Sequence, residues 1–331
     1  MKLLFVFTGG TIGSTQNNGI ISVDKNKAYS IIDAYSKRYG INFKYDVLEP
    51  YSELSEYNTG LHIRQLVGCI KENMDKDYDG IIVAHGSDTL QYSAAAIGYC
   101  IGLNSLPVCI VASNSPIEES GSNALDNLHG AISFITQKGG RGAFVVYRNA
   151  NSDTVRVHRA TRLIGSKAYS DDVSSVGNII YGCFDGDFNF IKNDLYTEKA
   201  DEISAFDASF LEEICNHIII INPYPAMIYP QLQDSVKYVI LNTYHSGTLN
   251  TKSKALLDFL KQVKSKDISV YLTGVAEGPQ YASCEAFESL GIVPIKDISP
   301  IAVYIKLWLI SSADKEVQGA IELSLGGDIV K

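Results

Sequence analysis

The chain has 331 residues, 46% of them apolar and 20% charged, and a formal net charge of −9. This composition supplies a sizeable core, and the length favours two domains over one. The acidic balance excludes non-specific nucleic-acid binding, which needs a basic face, and no apolar run approaches the ~20 residues that span a membrane.

In chain order, short apolar runs alternate with helical periodicity. Strands are expected over 3–7, 42–48, 80–84, 107–111 and 143–147, and helices over 27–39, 60–74, 89–101 and 122–136. Such alternation implies a largely parallel sheet covered on both faces. The rhythm breaks between 149 and 200, where 143–147 and 154–158 read as a hairpin joined by Asn149-Ala150-Asn151-Ser152-Asp153. The pattern is weakest over 191–214, the expected linker. A second unit then carries strands over 217–221, 238–241, 269–273 and 292–295, and helices over 252–263, 283–290 and 300–310. The expected fold is α/β: a larger N-terminal domain (1–190) with a doubly wound, mainly parallel sheet, and a smaller C-terminal parallel-sheet domain (215–331).

The six cysteines, at 69, 100, 109, 183, 215 and 284, form no CxxC pair and no metal-ligand spacing with the six histidines. Cys69, Cys100 and Cys109 lie in apolar surroundings and read as buried thiols of a reducing compartment. Lys2 leads into an apolar run too short for a signal core. The expected location is the cytoplasm.

Two turns at strand ends carry hydroxyls. Thr8-Gly9-Gly10-Thr11-Ile12-Gly13-Ser14 follows the first strand, and His85-Gly86-Ser87-Asp88-Thr89 follows the strand over 80–84. Open α/β sheets place their chemistry at such carboxyl ends. The first turn by itself is also explained by glycines that allow φ > 0. It is no dinucleotide loop, since Gly9 and Gly10 are adjacent, and no P-loop, since no Gly-Lys-Ser/Thr follows. Ser87-Asp88 also suits a helix cap at the start of 89–101. Cap and site are compatible, because a helix start offers N–H donors to a carboxylate. Ser55-Glu56 reads either as a solvated loop or as a third hydroxyl and carboxylate near a strand end. Lys167 by itself reads as a surface lysine, and His85 as a residue that orders its turn rather than as a base.

Taken jointly, Thr8-Gly9-Gly10-Thr11-Ile12-Gly13 and His85-Gly86-Ser87-Asp88-Thr89-Leu90 resemble the two signature segments of the bacterial-type L-asparaginase family, in matching order and spacing. The resemblance is closest to its cytoplasmic type I enzymes. Ser113-Asn114-Ser115-Pro116, Ser122-Asn123-Ala124 and Asp297-Ile298-Ser299-Pro300 with Lys306-Leu307 extend it along most of the chain. It implies hydrolysis of a side-chain amide, that of L-asparagine or L-glutamine, in a catalytic N-terminal domain. By position Thr11 takes the nucleophile's place, Ser87 the place of a second threonine, and Asp88 that of the aspartate that holds the substrate's amino group. Ser55 and Glu56 match the substrate-binding pair, with Gly10, Gly86 and Ser113 also lining the substrate. No metal or organic cofactor is implied, and the expected partners are an amino-acid substrate and further copies of the chain, as a homodimer or homotetramer.

Two departures from the family pattern stand out. The family's N-terminal loop usually carries a tyrosine that helps activate the nucleophile; here Ile20 occupies that place, with Tyr29 the nearest alternative. The family's lysine follows the hairpin; here gapless counting lands on Gly165, Ser166-Lys167 fits with a short insertion, and Arg162 is the fallback. These departures leave a rival expectation, an amino-acid-binding protein that kept the pocket and lost turnover. A nucleotide-binding protein, the third reading, rests on the glycine turn alone.

Overall fold

In a computed structural model of the protein, which describes residues 1–10, 14–17, 20–23, 30–199, 201–202, 205–313 and 315–330, the first apolar run forms β1 (Lys2–Phe7), buried on both faces from Leu3 onward. A strand this uniformly apolar belongs in the middle of a covered sheet. A hairpin of β2 (Ser14–Asn17) and β3 (Ile20–Val23) follows. Then come α1 (Ser30–Tyr39), β4 (Lys44–Leu48), a 3₁₀ turn (Ser55–Tyr57), α2 (Gly60–Lys71), β5 (Gly80–Ala84) and α3 (Leu90–Ile101). The chain continues through β6 (Val108–Val111), α4 (Ala124–Thr136), β7 (Ala143–Arg148), β8 (Val155–Arg159), β9 (Gly182–Phe184) and β10 (Phe190–Lys192).

The large sheet has the order β10-β9-β8-β7-β6-β5-β1-β4. Strands β4, β1, β5, β6 and β7 run parallel, while β8, β9 and β10 extend the sheet antiparallel. Leu3, Phe5 and Phe7 meet α1 and α4 on one face, and Leu4 and Val6 meet α2 and α3 on the other, as the two-residue period of a strand requires. The chain leaves β1 for its neighbour β4 on one side and returns over α2 to β5 on the other. The carboxyl ends of β1 and β5 therefore flank the topological switch point, where connecting loops part and leave a crevice.

The second sheet is parallel throughout, in the order β11 (Ile218–Ile221), β12 (Tyr238–Asn242), β13 (Ser269–Val275), β14 (Ile292–Lys296). One face packs on α5 (Lys254–Ser265). The other packs on α6 (Pro300–Ser312), which also reaches α3 of the large unit. Buried between the two, α6 is apolar nearly all round, as an enclosed helix must be. The two-unit α/β architecture expected from the sequence is present. Among the described residues no helix is long and apolar enough to cross a membrane.

Some local expectations differ. The helix expected over 283–290 is a pair of 3₁₀ turns, Ala282–Ala286 and Glu288–Leu290, because only Cys284 and Phe287 offer buried anchors there and Gly291 ends the segment at φ 72°. Helix α5 starts later than expected because Ser253 is its N-cap, its hydroxyl accepting the Leu256 N–H. The range 191–214 begins inside β10 and then lacks regular structure among its described residues. Phe206, Ala208 and Leu211 nevertheless lie in the same core as α3 and α6.

A fully buried ion pair ties the C-terminal segment to this core. Lys306 Nζ on α6 lies 2.9 Å from Asp328 Oδ2, and neither side chain is exposed. The Tyr99 hydroxyl on α3 donates to the same oxygen at 2.9 Å, Leu325 N–H donates to Asp328 Oδ1 at 3.2 Å, and Lys306 also donates to the Leu323 carbonyl. These bonds offset the desolvation of two charges, so removing one partner leaves the other stranded. Lys306→Met is expected to cost about 3–5 kcal/mol, read as a lower urea midpoint at neutral pH.

His158 on β8 is buried, with Nδ1 2.8 Å from the Ser175 hydroxyl. Burial first, and Arg156 second, push its pKa down to about 3. The unfolded chain therefore binds a proton below about pH 6.5 that the folded chain refuses. Stability from this group is fully present above that pH and declines as pH falls toward about 3. His158→Gln is expected to flatten the slope of unfolding free energy against pH in that window, read by denaturation at a series of pH values.

Candidate active site

The site is built where β1 and β5 end. Thr8 binds the Ala84 carbonyl twice, through its N–H at 3.2 Å and its hydroxyl at 3.1 Å, joining the two strand ends. Gly10 N–H then donates to the Glu53 carbonyl at 3.1 Å, and Glu53 N–H to the Thr8 carbonyl at 3.0 Å. The loop after β4 is thereby drawn against the turn. Gly9 and Gly10 have φ of 96° and 73°, a region that only glycine enters readily. Space demands glycine as well: a Cβ on Gly9 would strike the Glu53 backbone, and one on Gly10 would lie 2.5 Å from the Gly86 Cα and N. The two turns singled out in the sequence therefore touch, backbone to backbone.

Ser55 closes the third side. A Cβ on Gly86 would lie 2.5 Å from the Ser55 hydroxyl. That hydroxyl accepts the Asp88 N–H at 3.2 Å and donates to Asp88 Oδ2 at 3.3 Å. Thr89 Oγ1 donates to the Ser55 carbonyl at 2.9 Å, and Asn58 Nδ2 donates to Thr89 Oγ1 at 3.2 Å. His85 is fully buried, with Nδ1 2.8 Å from the Gly86 carbonyl and Nε2 3.3 Å from Asn58 Nδ2. Burial lowers its pKa, against the opposing effect of the Gly86 carbonyl. His85 orders its turn, as the sequence suggested.

Gly10, Gly86, Ser55, Ser87 and Asp88 thus meet at one crevice, with Ser87 half-buried and the Asp88 carboxylate exposed. Neither Ser87 nor Asp88 caps α3: its N-cap is Thr89, whose hydroxyl bonds the Ser55 carbonyl instead of the helix. Glu56 sits exposed on the 3₁₀ turn beside Ser55. Ser113 lies buried just past β6, one strand over from β5, and its hydroxyl has no partner among the described residues. Asn58 and Thr89 belong to the network although the sequence singled out neither as a site residue. Thr89 stood inside the second motif, whereas Asn58 carried no signal beyond its closeness to Ser55.

Thr11 and Tyr29 lie outside the described residues. Ile20 opens β3, opposite Asn17. Lys167 is exposed in the loop after the 3₁₀ turn Ala160–Arg162, and among the described residues no ion pair joins it to Asp88. Arg162 is buried elsewhere: Nε donates to the Gly327 carbonyl at 2.6 Å and Nη2 to those of Thr197 and Ile329 at 2.7 Å. Its guanidinium stacks over Tyr196 and serves as a strut for the C-terminal segment, which withdraws it as the fallback for the lysine. Among the described residues no group of three or more His, Cys, Asp or Glu side chains could hold a metal ion.

Comparison with known proteins bears on the fold and the family. The chain is 25% identical over 347 residues to an L-asparaginase of Thermococcus kodakarensis, covering 99% of both. It is equally, 25%, identical over 352 residues to a subunit of the glutamyl-tRNA(Gln) amidotransferase of Thermofilum pendens, covering 99% of this chain and 75% of that one. The fold is shared with the thermostable L-asparaginase from Thermococcus kodakarensis (TM-score 0.77, 20% identity, all of both chains). It is shared too with L-asparaginase I from Vibrio cholerae (TM-score 0.76, 20% identity, 100% of this chain and 99% of that one). The family model described as "Asparaginase, N-terminal" matches residues 2–182, which hold both glycine turns and the loop that closes on them, and the chain belongs to the asparaginase family.

Proposed function

We propose that the protein hydrolyses the side-chain amide of L-asparagine to L-aspartate and ammonia, through an acyl-enzyme on Thr11. The observation that supports this reading is the contact of Gly10, the residue that precedes Thr11 in sequence, with Gly86, the residue that precedes Ser87 and Asp88. In the proposed reaction Thr11 Oγ attacks the amide carbon while its proton passes toward the leaving nitrogen. Ammonia departs, and water then cleaves the ester to release the acid and restore the hydroxyl. Backbone N–H groups of the two turns stabilise the oxyanion. Asp88 and Glu56 hold the α-ammonium, while Ser55 and the N–H groups near Ser87 hold the α-carboxylate. Lys167, desolvated near Asp88, takes or relays a proton through Ser87. The N-terminal unit, 1–190, is the catalytic domain, and the working form is a homodimer or homotetramer in the cytoplasm, a compartment consistent with six free cysteines.

The exposed position of Lys167 favours one alternative, a chain of this fold that binds an amino acid with impaired turnover. The resemblance to amidotransferase subunits favours another preference, glutamine as ammonia donor. Ammonia release from each amide by the purified protein separates the three: asparagine above glutamine supports the proposal, glutamine alone supports the amidotransferase-like role, and binding without release supports the impaired form.

Thr11→Ala is expected to reduce turnover at least about a thousandfold, as for loss of a covalent nucleophile, with an unchanged circular dichroism spectrum. Asp88→Asn removes the charge that faces the ammonium and is expected to raise KM about 10–100-fold, the scale of a charge-assisted hydrogen bond. Steady-state kinetics on asparagine reads both variants.

A further inference from the structure

We infer that His85 and Asn58 are positioning residues that hold the Gly86–Ser87 peptide so that its N–H faces the bound substrate. This inference rests on the reading of the site as one for an amino acid, and it adds residues that contact no substrate themselves.

The protons in the network can be assigned from the acceptors. A carbonyl only accepts, so the 2.8 Å contact with the Gly86 oxygen places the proton of the neutral imidazole on His85 Nδ1. Nε2 is then a bare acceptor, met by one hydrogen of Asn58 Nδ2. The second hydrogen goes to Thr89 Oγ1, whose own proton goes to the Ser55 carbonyl. Every link has one direction. The chain of donors runs from the loop that carries Ser55 and Asn58 into the turn that carries Ser87 and Asp88.

Its effect on the site follows from peptide geometry. In a planar trans peptide the C=O and the next N–H point in opposite directions. His85 draws the Gly86 carbonyl inward, so the Ser87 N–H points outward, on the side of the exposed Asp88 carboxylate. Among the described residues nothing accepts that N–H. A donor fixed beside a hydroxyl and a carboxylate suits an α-amino acid, whose carboxylate and ammonium need both signs at one place. Without the imidazole, the Gly86–Ser87 peptide is free to rotate, because glycine imposes little restriction of its own.

The test uses the full chain, labelled with ¹⁵N-histidine, and L-aspartate as the probe. Long-range ¹H–¹⁵N correlation spectra are expected to show one buried imidazole protonated on Nδ1. Calorimetry is expected to show aspartate binding weakened about tenfold in His85→Phe, the scale of one hydrogen bond to a charged group. His85→Asn places an amide donor near the Nδ1 position and is expected to recover most of the loss. Asn58→Ala, which retains the imidazole, covers the case in which His85→Phe fails to fold; its binding is expected to weaken several-fold. A buried imidazole protonated on Nε2, equal binding by His85→Asn and His85→Phe, or unchanged binding by Asn58→Ala would each overturn the inference. Wild-type protein that binds aspartate but releases no ammonia from asparagine or glutamine refutes the proposed reaction, while the binding comparison still decides the role of His85. Wild-type protein that does not bind aspartate overturns the inference.

Discussion

Gly10 lies against Gly86 only because it carries no side chain, since a Cβ there would come within 2.5 Å of the Gly86 Cα and N, and the crevice depends on that approach. Each belongs to a turn at the end of a different parallel strand, and the strands are adjacent in the sheet though nearly eighty residues apart in sequence. Adjacent strands alone bring their ends to about 5 Å. The further approach, which sets one turn's groups against the other's, is set by the absence of a methyl-sized group at Gly10. The same constraint acts on the Glu53 backbone through Gly9, so the loop carrying Ser55 closes onto the pair.

The polar groups at the crevice divide by burial. His85, Ser55 and the Gly86 carbonyl are enclosed, and their hydrogen bonds fix orientation because an enclosed polar group has no water to turn to. Asp88 is exposed and holds its rotamer through Ser55. Glu56 is exposed beside Ser55 as well, so enclosed groups hold the geometry while two carboxylates stand in solvent. Asn58, half-buried, belongs with the groups that hold geometry through its bonds to His85 and Thr89.

Much of this could be read in the sequence, for identifiable reasons. The central strands β1, β5 and β6 are continuous apolar runs, and α2 to α4 carry the helical period, so alternation and sheet class follow. The glycine turns announced themselves because a positive φ at Gly9 and Gly10 and a close approach at Gly86 leave a compositional mark. Asn58 left none, since a side chain recruited across more than twenty residues by a hydrogen bond has no local pattern. The same holds for β9 and β10, three residues each, of which β9 pairs with β8 and β10 with β9. The 3₁₀ turns at 282–290 deceived for the opposite reason: the spacing was helical but the buried anchors were too few. The bracing role of Arg162 left no mark because two of its three carbonyl partners lie some 165 residues away, which no local motif can reveal.

The Tyr99–Asp328–Lys306 cluster has a consequence for how the chain is made. Helix α3 of the first unit is covered by α6, and its tyrosine hydroxyl waits for a carboxylate 229 positions later. During synthesis the first unit can assemble its sheet long before α6 exists, but one face of α3 stays open until then. Contacts of such sequence separation close slowly, because the intervening chain loses entropy before any contact rewards it. At ribosomal speeds of about 5–20 residues per second, the exposed apolar face persists for many seconds. The interval in which that face of the newborn protein is open is therefore set by the distance along the chain between α3 and α6.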